Sequence, residues 1–188
     1  MAGQVKGLLS PFLLKRRLAA ARPHLNGRVL DFGCGTGDLA ELVSNDNYVG
    51  VDLNPDVIAE ARRRYGKHAF FEINDATWRS RPNSFDTIVS LAVIEHVSDH
   101  GAFLRELTPC LATDGRIVLT TPHPHFEWVH NVGALLGIFS RHAAQEHAAF
   151  SDCKAMKKAA CSADLEVILY RPFLGGANQL FVLARKPI

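Results

Sequence analysis

Cysteine is sparse and unpatterned in this chain. Cys34, Cys110, Cys153 and Cys161 form no C-x-x-C pair, so reduced thiols in a cytoplasmic protein are expected. No apolar run reaches the length of a membrane-spanning helix. Lys15, Arg16 and Arg17 interrupt the first 21 residues and no convincing cleavage site follows, so no signal peptide is read. The net charge is only +2, which removes any case for nucleic acid from bulk charge. Internal repeats, low-complexity tracts and a second domain are absent. Histidine is plentiful, yet His123, His125, His130, His142 and His147 form no tight pair of the H-E-x-x-H kind. No carboxylate cluster accompanies them, so no metal site is expected. What remains is an ordinary globular chain of 188 residues, 47% hydrophobic and 21% charged, long enough for one domain with a sizeable core.

The chain is organised around VLDFGCGTGDLA, Val29 to Ala40. Val29, Leu30 and Phe32 make a short apolar strand with Asp31 near its end. Gly33, Gly35 and Gly37 then alternate with Cys34 and Thr36, and Asp38 to Val43 resumes in helix-compatible residues. Strand, glycine turn and helix together hold a nucleotide-type ligand. Glycine allows positive φ and close backbone approach, and a following helix presents free N–H groups. The dinucleotide fingerprint wants a third glycine one place later, where this chain has Asp38. Cys34, inside the turn, is read as a small residue tolerated there rather than as a reactive thiol.

A second strand, YVGVDLN, ends in Asp52, 21 residues after Asp31. An acid at that tip can accept both ribose hydroxyls of an adenosine. Asn54-Pro55 breaks the strand and Asp56 to Tyr65 forms a helix. Its Arg62-Arg63-Arg64 run fits a solvated face, with a phosphate or acidic-lipid contact as the alternative. AFFEI, Ala69 to Ile73, is a third strand followed by Asn74-Asp75-Ala76, and Phe85 to Leu91 is a fourth, followed by Glu95-His96. Asp99 to Leu111 reads as a helix, Thr113-Asp114-Gly115 as a turn, and Arg116 to Thr121 as the fifth strand. Gly7 to Ala21 reads as an N-terminal helix ended by Pro23 and Asn26-Gly27.

VLDFGCGTG followed by GVDLNPDVI, and then FDTIVSLAVIEHV, resembles the class I S-adenosylmethionine-dependent methyltransferases. The similarity is to the small-molecule "type 11" branch, which includes the ubiquinone-biosynthesis O-methyltransferases. It runs from about residue 28 to 121, and more loosely beyond. It implies an α/β fold: a Rossmann-like, doubly wound sheet of seven strands in order 3-2-1-4-5-7-6, strand 7 antiparallel, helices on both faces. The chain would be one domain over 1–188, with a helical segment at 1–26 and a cap at 122–150 over the acceptor.

The resemblance further implies S-adenosylmethionine as cofactor. The first strand and its turn, Asp31, Phe32, Gly33, Cys34, Gly35, Thr36 and Gly37, would hold it together with Asp52 and Leu53. Asp75 would take the adenine amine and Ala76 its ring, although Asp75 is also an ordinary turn acid. Leu91, Ala92 and His96 would lie beside the methionine end, where Arg16 or Arg17 could meet the carboxylate. A solvated helix face is the alternative for those arginines. His96 and His123 are the candidate bases, since an unperturbed imidazole titrates near neutrality. His123, His125, Trp128 and His147 would meet a small-molecule acceptor, lipid, quinone or glycan-linked. The apolar stretch Val132 to Phe139 either packs on its own domain or touches a membrane surface or partner. No nucleic-acid partner is expected, since no N-P-P-type motif follows the fourth strand. Oligomeric state is not legible.

The C-terminal part reads as a helix from Ser151 to Ser162 and strands Leu165–Tyr170 and Gln179–Arg185 about Gly175-Gly176. The short link favours antiparallel pairing. That ending argues against the rival nicotinamide oxidoreductase, whose sheet is all parallel. A catalytically silent binding module on the same fold is the third reading.

Overall fold

The computed structural model describes residues 10–79, 84–123 and 153–187. Seven strands form one sheet: β1 (Val29–Phe32), β2 (Tyr48–Asp52), β3 (Ala69–Glu72), β4 (Phe85–Leu91), β5 (Leu111–Pro122), β6 (Leu165–Phe173) and β7 (Asn178–Arg185). Their order is β3-β2-β1-β4-β5-β7-β6. The first five strands pair in parallel, whereas β7 runs antiparallel to both β5 and β6. The expected topology is the one observed, down to the reversed strand.

Helices cover both faces. On one, α3 (His100–Leu107) and α4 (Cys153–Cys161) pack Phe103, Leu104, Leu107, Met156 and Ala160 against Leu30, Ile88, Ile117 and Phe181. On the other, α1 (Ser10–Ala21) and α2 (Pro55–Arg64) place Ala21, Ile58 and Ala61 against Val29, Val89, Val118 and Val182. Every residue of β1 is buried, as befits a parallel strand covered on both sides.

Local chemistry starts the helices. The Asn54 side chain accepts from the Asp56 N–H at 2.9 Å, with Pro55 at the first helical position of α2. Asp99 Oδ1 accepts from Ala102 N–H at 2.8 Å at the start of α3.

Three elements differ from their sequence reading. The residues after the glycine turn form a five-residue 3-10 helix, Asp38–Leu42, rather than a full crossover helix. The helix expected over Asp99 to Leu111 stops at Leu107, because Pro109 cannot continue it, and Thr108–Cys110 is a 3-10 turn. Leu111 is already paired with Phe85, and the next matched pair is Arg116 with Thr87. The Thr113-Asp114-Gly115 turn is therefore an irregularity inside β5, not a connection before it.

Candidate functional site

Strand order reverses between β1 and β4, the place where open α/β sheets hold ligands beyond their strand ends. The glycine turn follows β1 at that switch point. Val51 O on β2 accepts both the Gly33 N–H, at 2.8 Å, and the Cys34 N–H, at 2.9 Å, so the turn is fastened to the neighbouring strand. Gly33, Gly35 and Gly37 all have positive φ, at 79°, 51° and 82°. A Cβ on Gly33 would lie 2.3 Å from Val93 Cγ2, whereas one on Gly35 would meet nothing within 4 Å. Gly33 is thus glycine for packing and Gly35 for conformation, its outer side left open. Ala92, at the β4 tip, also has positive φ, 59°, held by its N–H on Thr120 O at 2.8 Å. A non-glycine residue in that region marks local strain, which concentrates at functional sites.

Two cavities meet at Gly33 and Leu91. One, of about 610 Å³, runs over Phe32, Asp52, Leu53, Ile73, Ala92 and His96 to α3. The other, of about 600 Å³, lies between α1 and the glycine turn, with Arg17, Asp31, Cys34, Gly35, Thr36 and Arg64 on its walls. Leu53, 72% exposed, stands at the mouth of the first cavity. Together they give an apolar slot, a carboxylate and a polar trough in a row. That row suits an extended ligand with a flat ring at one end and charged groups at the other.

The carboxylates differ in surroundings. Asp52 Oδ2 accepts the Gly35 N–H at 2.9 Å and Oδ1 the Asn54 N–H at 3.0 Å. Asp31 is 3% exposed and accepts the Tyr48 hydroxyl at 2.8 Å. Burial pushes its carboxyl up to about 7, against the Tyr48 hydrogen bond, and Asp52 and Asp38 nearby add to the rise. Asp75 is exposed and its Oδ1 accepts the Thr77 N–H at 2.8 Å; the Thr77 hydroxyl and then this N–H hold its carboxyl below the usual range. It serves there as a cap for the turn Ala76–Arg79. Neither Asp75 nor Ala76 lines either cavity.

Burial also pushes the Cys34 thiol up, so it stays protonated, and its Sγ reaches Gly35 O at 3.6 Å. All four cysteines are free. His96 is on the wall of the first cavity, at the end of a 3-10 turn, Ile94–His96. His123 follows β5, with its N–H on Ala177 O at 3.0 Å, and lines neither cavity. His125, Trp128, His147 and the cap over 122–150 lie outside the described residues beyond His123.

A buried polar group beneath this edge was missed from the sequence. Glu95 is 6% exposed, and burial pushes its carboxyl up while the Arg17 guanidinium pulls it back. Its Oε2 has no hydrogen-bond partner among the described residues. Arg17, from α1, donates Nε–H to Asn178 Oδ1 at 3.1 Å at the start of β7. Arg17 is therefore not on a solvated face. The sequence signal was slight: one arginine at the apolar margin of α1 and an acid four residues beyond a strand tip.

The sequence profile described as "Methyltransferase domain" matches residues 1–170. Among curated relatives, trans-aconitate 2-methyltransferase of Rhodopseudomonas palustris (strain BisB5) is 35% identical over 112 residues, 57% of this chain and 43% of that protein. A probable S-adenosylmethionine-dependent methyltransferase of Mycobacterium tuberculosis is 32% identical over 97 residues, 50% of this chain and 35% of that protein. These matches span less than half the length of either relative. A methyltransferase structure from Mesorhizobium loti has the same fold at a TM-score of 0.68, 16% identity, covering 97% of this chain and all of that one. A TehB-like structure from Corynebacterium glutamicum has a TM-score of 0.63 at 20% identity, covering 90% of this chain and 86% of that one. The chain belongs to the methyltransferase-domain family, of the class I S-adenosylmethionine-dependent kind.

Proposed function

We propose that this chain transfers a methyl group from S-adenosylmethionine to a small-molecule acceptor. The observation that carries this reading is the join between Asp52 and Gly35 at the switch point, where two cavities share one wall. The adenosine would lie in the first cavity, its ring against Leu53 and Ile73 and its ribose on the Asp52 carboxylate. The methionine end would lie under α1, along Gly33 and Gly35. The fit rests on the open outer side of Gly35, which a side chain would fill.

When bound, S-adenosylmethionine supplies a methyl group already activated on a sulfonium centre. The chain's part is to orient the acceptor in line with it and to exclude water. An acceptor hydroxyl also needs a base, and His96 at the cavity wall is the first candidate. His123 is the second, from the β5 end. A carboxylate acceptor needs none. The similarity to proteins named trans-aconitate 2-methyltransferase puts small polycarboxylic acids first among acceptors to test, ahead of quinones and lipid- or glycan-linked hydroxyls. His125, Trp128 and His147 remain candidate acceptor contacts. The reversed β7 sets this sheet apart from the all-parallel dinucleotide-binding kind.

Calorimetry with S-adenosylhomocysteine and with NAD tests the cofactor. Binding of the first alone is expected; binding of NAD alone overturns the reading. Transfer of labelled methyl to a panel of carboxylic acids and phenols then tests turnover. A chain that binds S-adenosylhomocysteine and methylates nothing in extracts of its own host is a binding module.

A further inference from the structure

The glycine turn has an unusually thin backing. The 3-10 helix behind it buries Leu39 and Ala40 but spans only Asp38–Leu42. Such short pieces have poorer hydrogen-bond geometry than an α-helix. A second brace comes from α2.

Arg64, the last residue of α2, reaches across to the turn. Its Nη1 donates to Thr36 O at 3.2 Å and to Thr36 Oγ1 at 2.9 Å. Its Nη2 donates to Asp38 Oδ1 at 2.9 Å and to the Tyr65 hydroxyl at 3.0 Å. Thr36 Oγ1 in turn donates to Asp38 Oδ2 at 2.9 Å, and the Tyr65 hydroxyl donates to Glu41 Oε1 at 2.7 Å. The guanidinium carbon lies 4.9 Å from the Tyr65 ring centroid. One fork thus binds a backbone carbonyl, a hydroxyl and a carboxylate of the same turn. A planar guanidinium can do this and a lysine ammonium cannot.

This brace and Asp52 hold neighbouring residues of the turn. Asp52 takes the Gly35 N–H, and Arg64 takes the carbonyl of the next residue. The stretch between the two anchors borders the cavity under α1, whose walls include Arg64, Thr36 and Asp38. The side chains of Arg64 and Asp38 are 31% and 27% exposed. A pair so exposed adds little to folding. Its larger effect is on the shape of the turn, which binding would otherwise have to order.

We propose that Arg64 is a positioning residue for the cofactor, holding the Gly35-Thr36-Asp38 backbone in its ligand-ready form. The proposal rests on the reading that this turn takes S-adenosylmethionine. Calorimetry with S-adenosylhomocysteine on the full chain, Arg64→Met, Arg64→Lys, Asp38→Asn and the Arg64→Met/Asp38→Asn double variant tests it, alongside ligand-free melting. Arg64→Met is expected to weaken binding about 10-fold through lost preorganisation, while its ligand-free melting temperature stays within about 3 °C of the parent. Arg64→Lys falls between. The double variant binds no more weakly than Arg64→Met alone, because both changes break one network. Arg64→Met binding within about twofold of a parent that does bind overturns the positioning role alone. Additive losses in the double variant do the same. A parent that fails to bind S-adenosylhomocysteine overturns the cofactor reading first, and this role with it.

Discussion

Asp52 on β2 and Gly35 in the turn after β1 are joined by one hydrogen bond, N–H to Oδ2, at 2.9 Å. The same carboxylate therefore shapes the turn and faces the cavity where a ribose would sit. Asp52→Ala removes both roles. With two hydrogen bonds to the ribose lost, affinity for S-adenosylhomocysteine is expected to fall about 100-fold or more. Asp52→Asn, which keeps the side chain's size, should fall less. Titration calorimetry of both variants reads this, and unchanged affinity in Asp52→Ala removes the adenosine from this cavity.

Asp31 makes the ligand-free fold sensitive to pH. Its carboxyl is pushed up to about 7 by burial, far above the ordinary value it has in the unfolded chain. Between about pH 4 and 7 the folded state holds a proton that the unfolded state has lost, so stability falls as pH rises through that window. Above about 7 this contribution is flat. The melting temperature is expected to drop by about 5 °C or more between pH 5.5 and 8. Asp31→Asn should flatten the profile while weakening cofactor binding. A profile that keeps its slope in Asp31→Asn assigns the dependence to another group.

Arg17 and Glu95 are coupled electrostatically: burial pushes the Glu95 carboxyl up and the Arg17 guanidinium, from a segment far off in the chain, pulls it back. Removing one partner leaves the other charge buried and uncompensated. Glu95→Gln or Arg17→Met is expected to cost about 3 kcal/mol or more, and the Arg17→Met/Glu95→Gln double variant less than the sum. Urea denaturation of the four proteins measures this, and simple additivity means that the two groups do not interact.

Much of the fold was legible because the sequence is locally consistent. Phe85 to Leu91 reads as an apolar strand and is one, residue for residue. Asp52 stood out in the sequence because it ends a second strand that follows a glycine turn. The antiparallel pairing of β6 and β7 was readable from the short Gly175-Gly176 link, whose glycines both have positive φ; that β7 is the reversed strand came with the family resemblance. The contacts that tune the site were not legible, since they join residues remote in sequence. Arg64 sat in a run of three arginines that each looked wet, yet Arg62 bonds Phe70 O, Arg63 bonds Glu60 and only Arg64 braces the turn. Glu95 read as a companion of His96 at the rim, but its side chain turns inward toward α1. Pro109 was a stop signal in plain sight, overridden by the leucine spacing around it.

The place of β7 in the sheet has a consequence for biosynthesis. Among the described residues, β6 pairs with the sheet through β7, which lies between it and β5. A nascent chain can pair β1 to β5 as each emerges, but β6 must wait for a strand that leaves the ribosome after it. Premature termination before Asn178 would strip away two strands at once. It would bare the buried edge of β5 and make such fragments ready targets for aggregation or proteolysis.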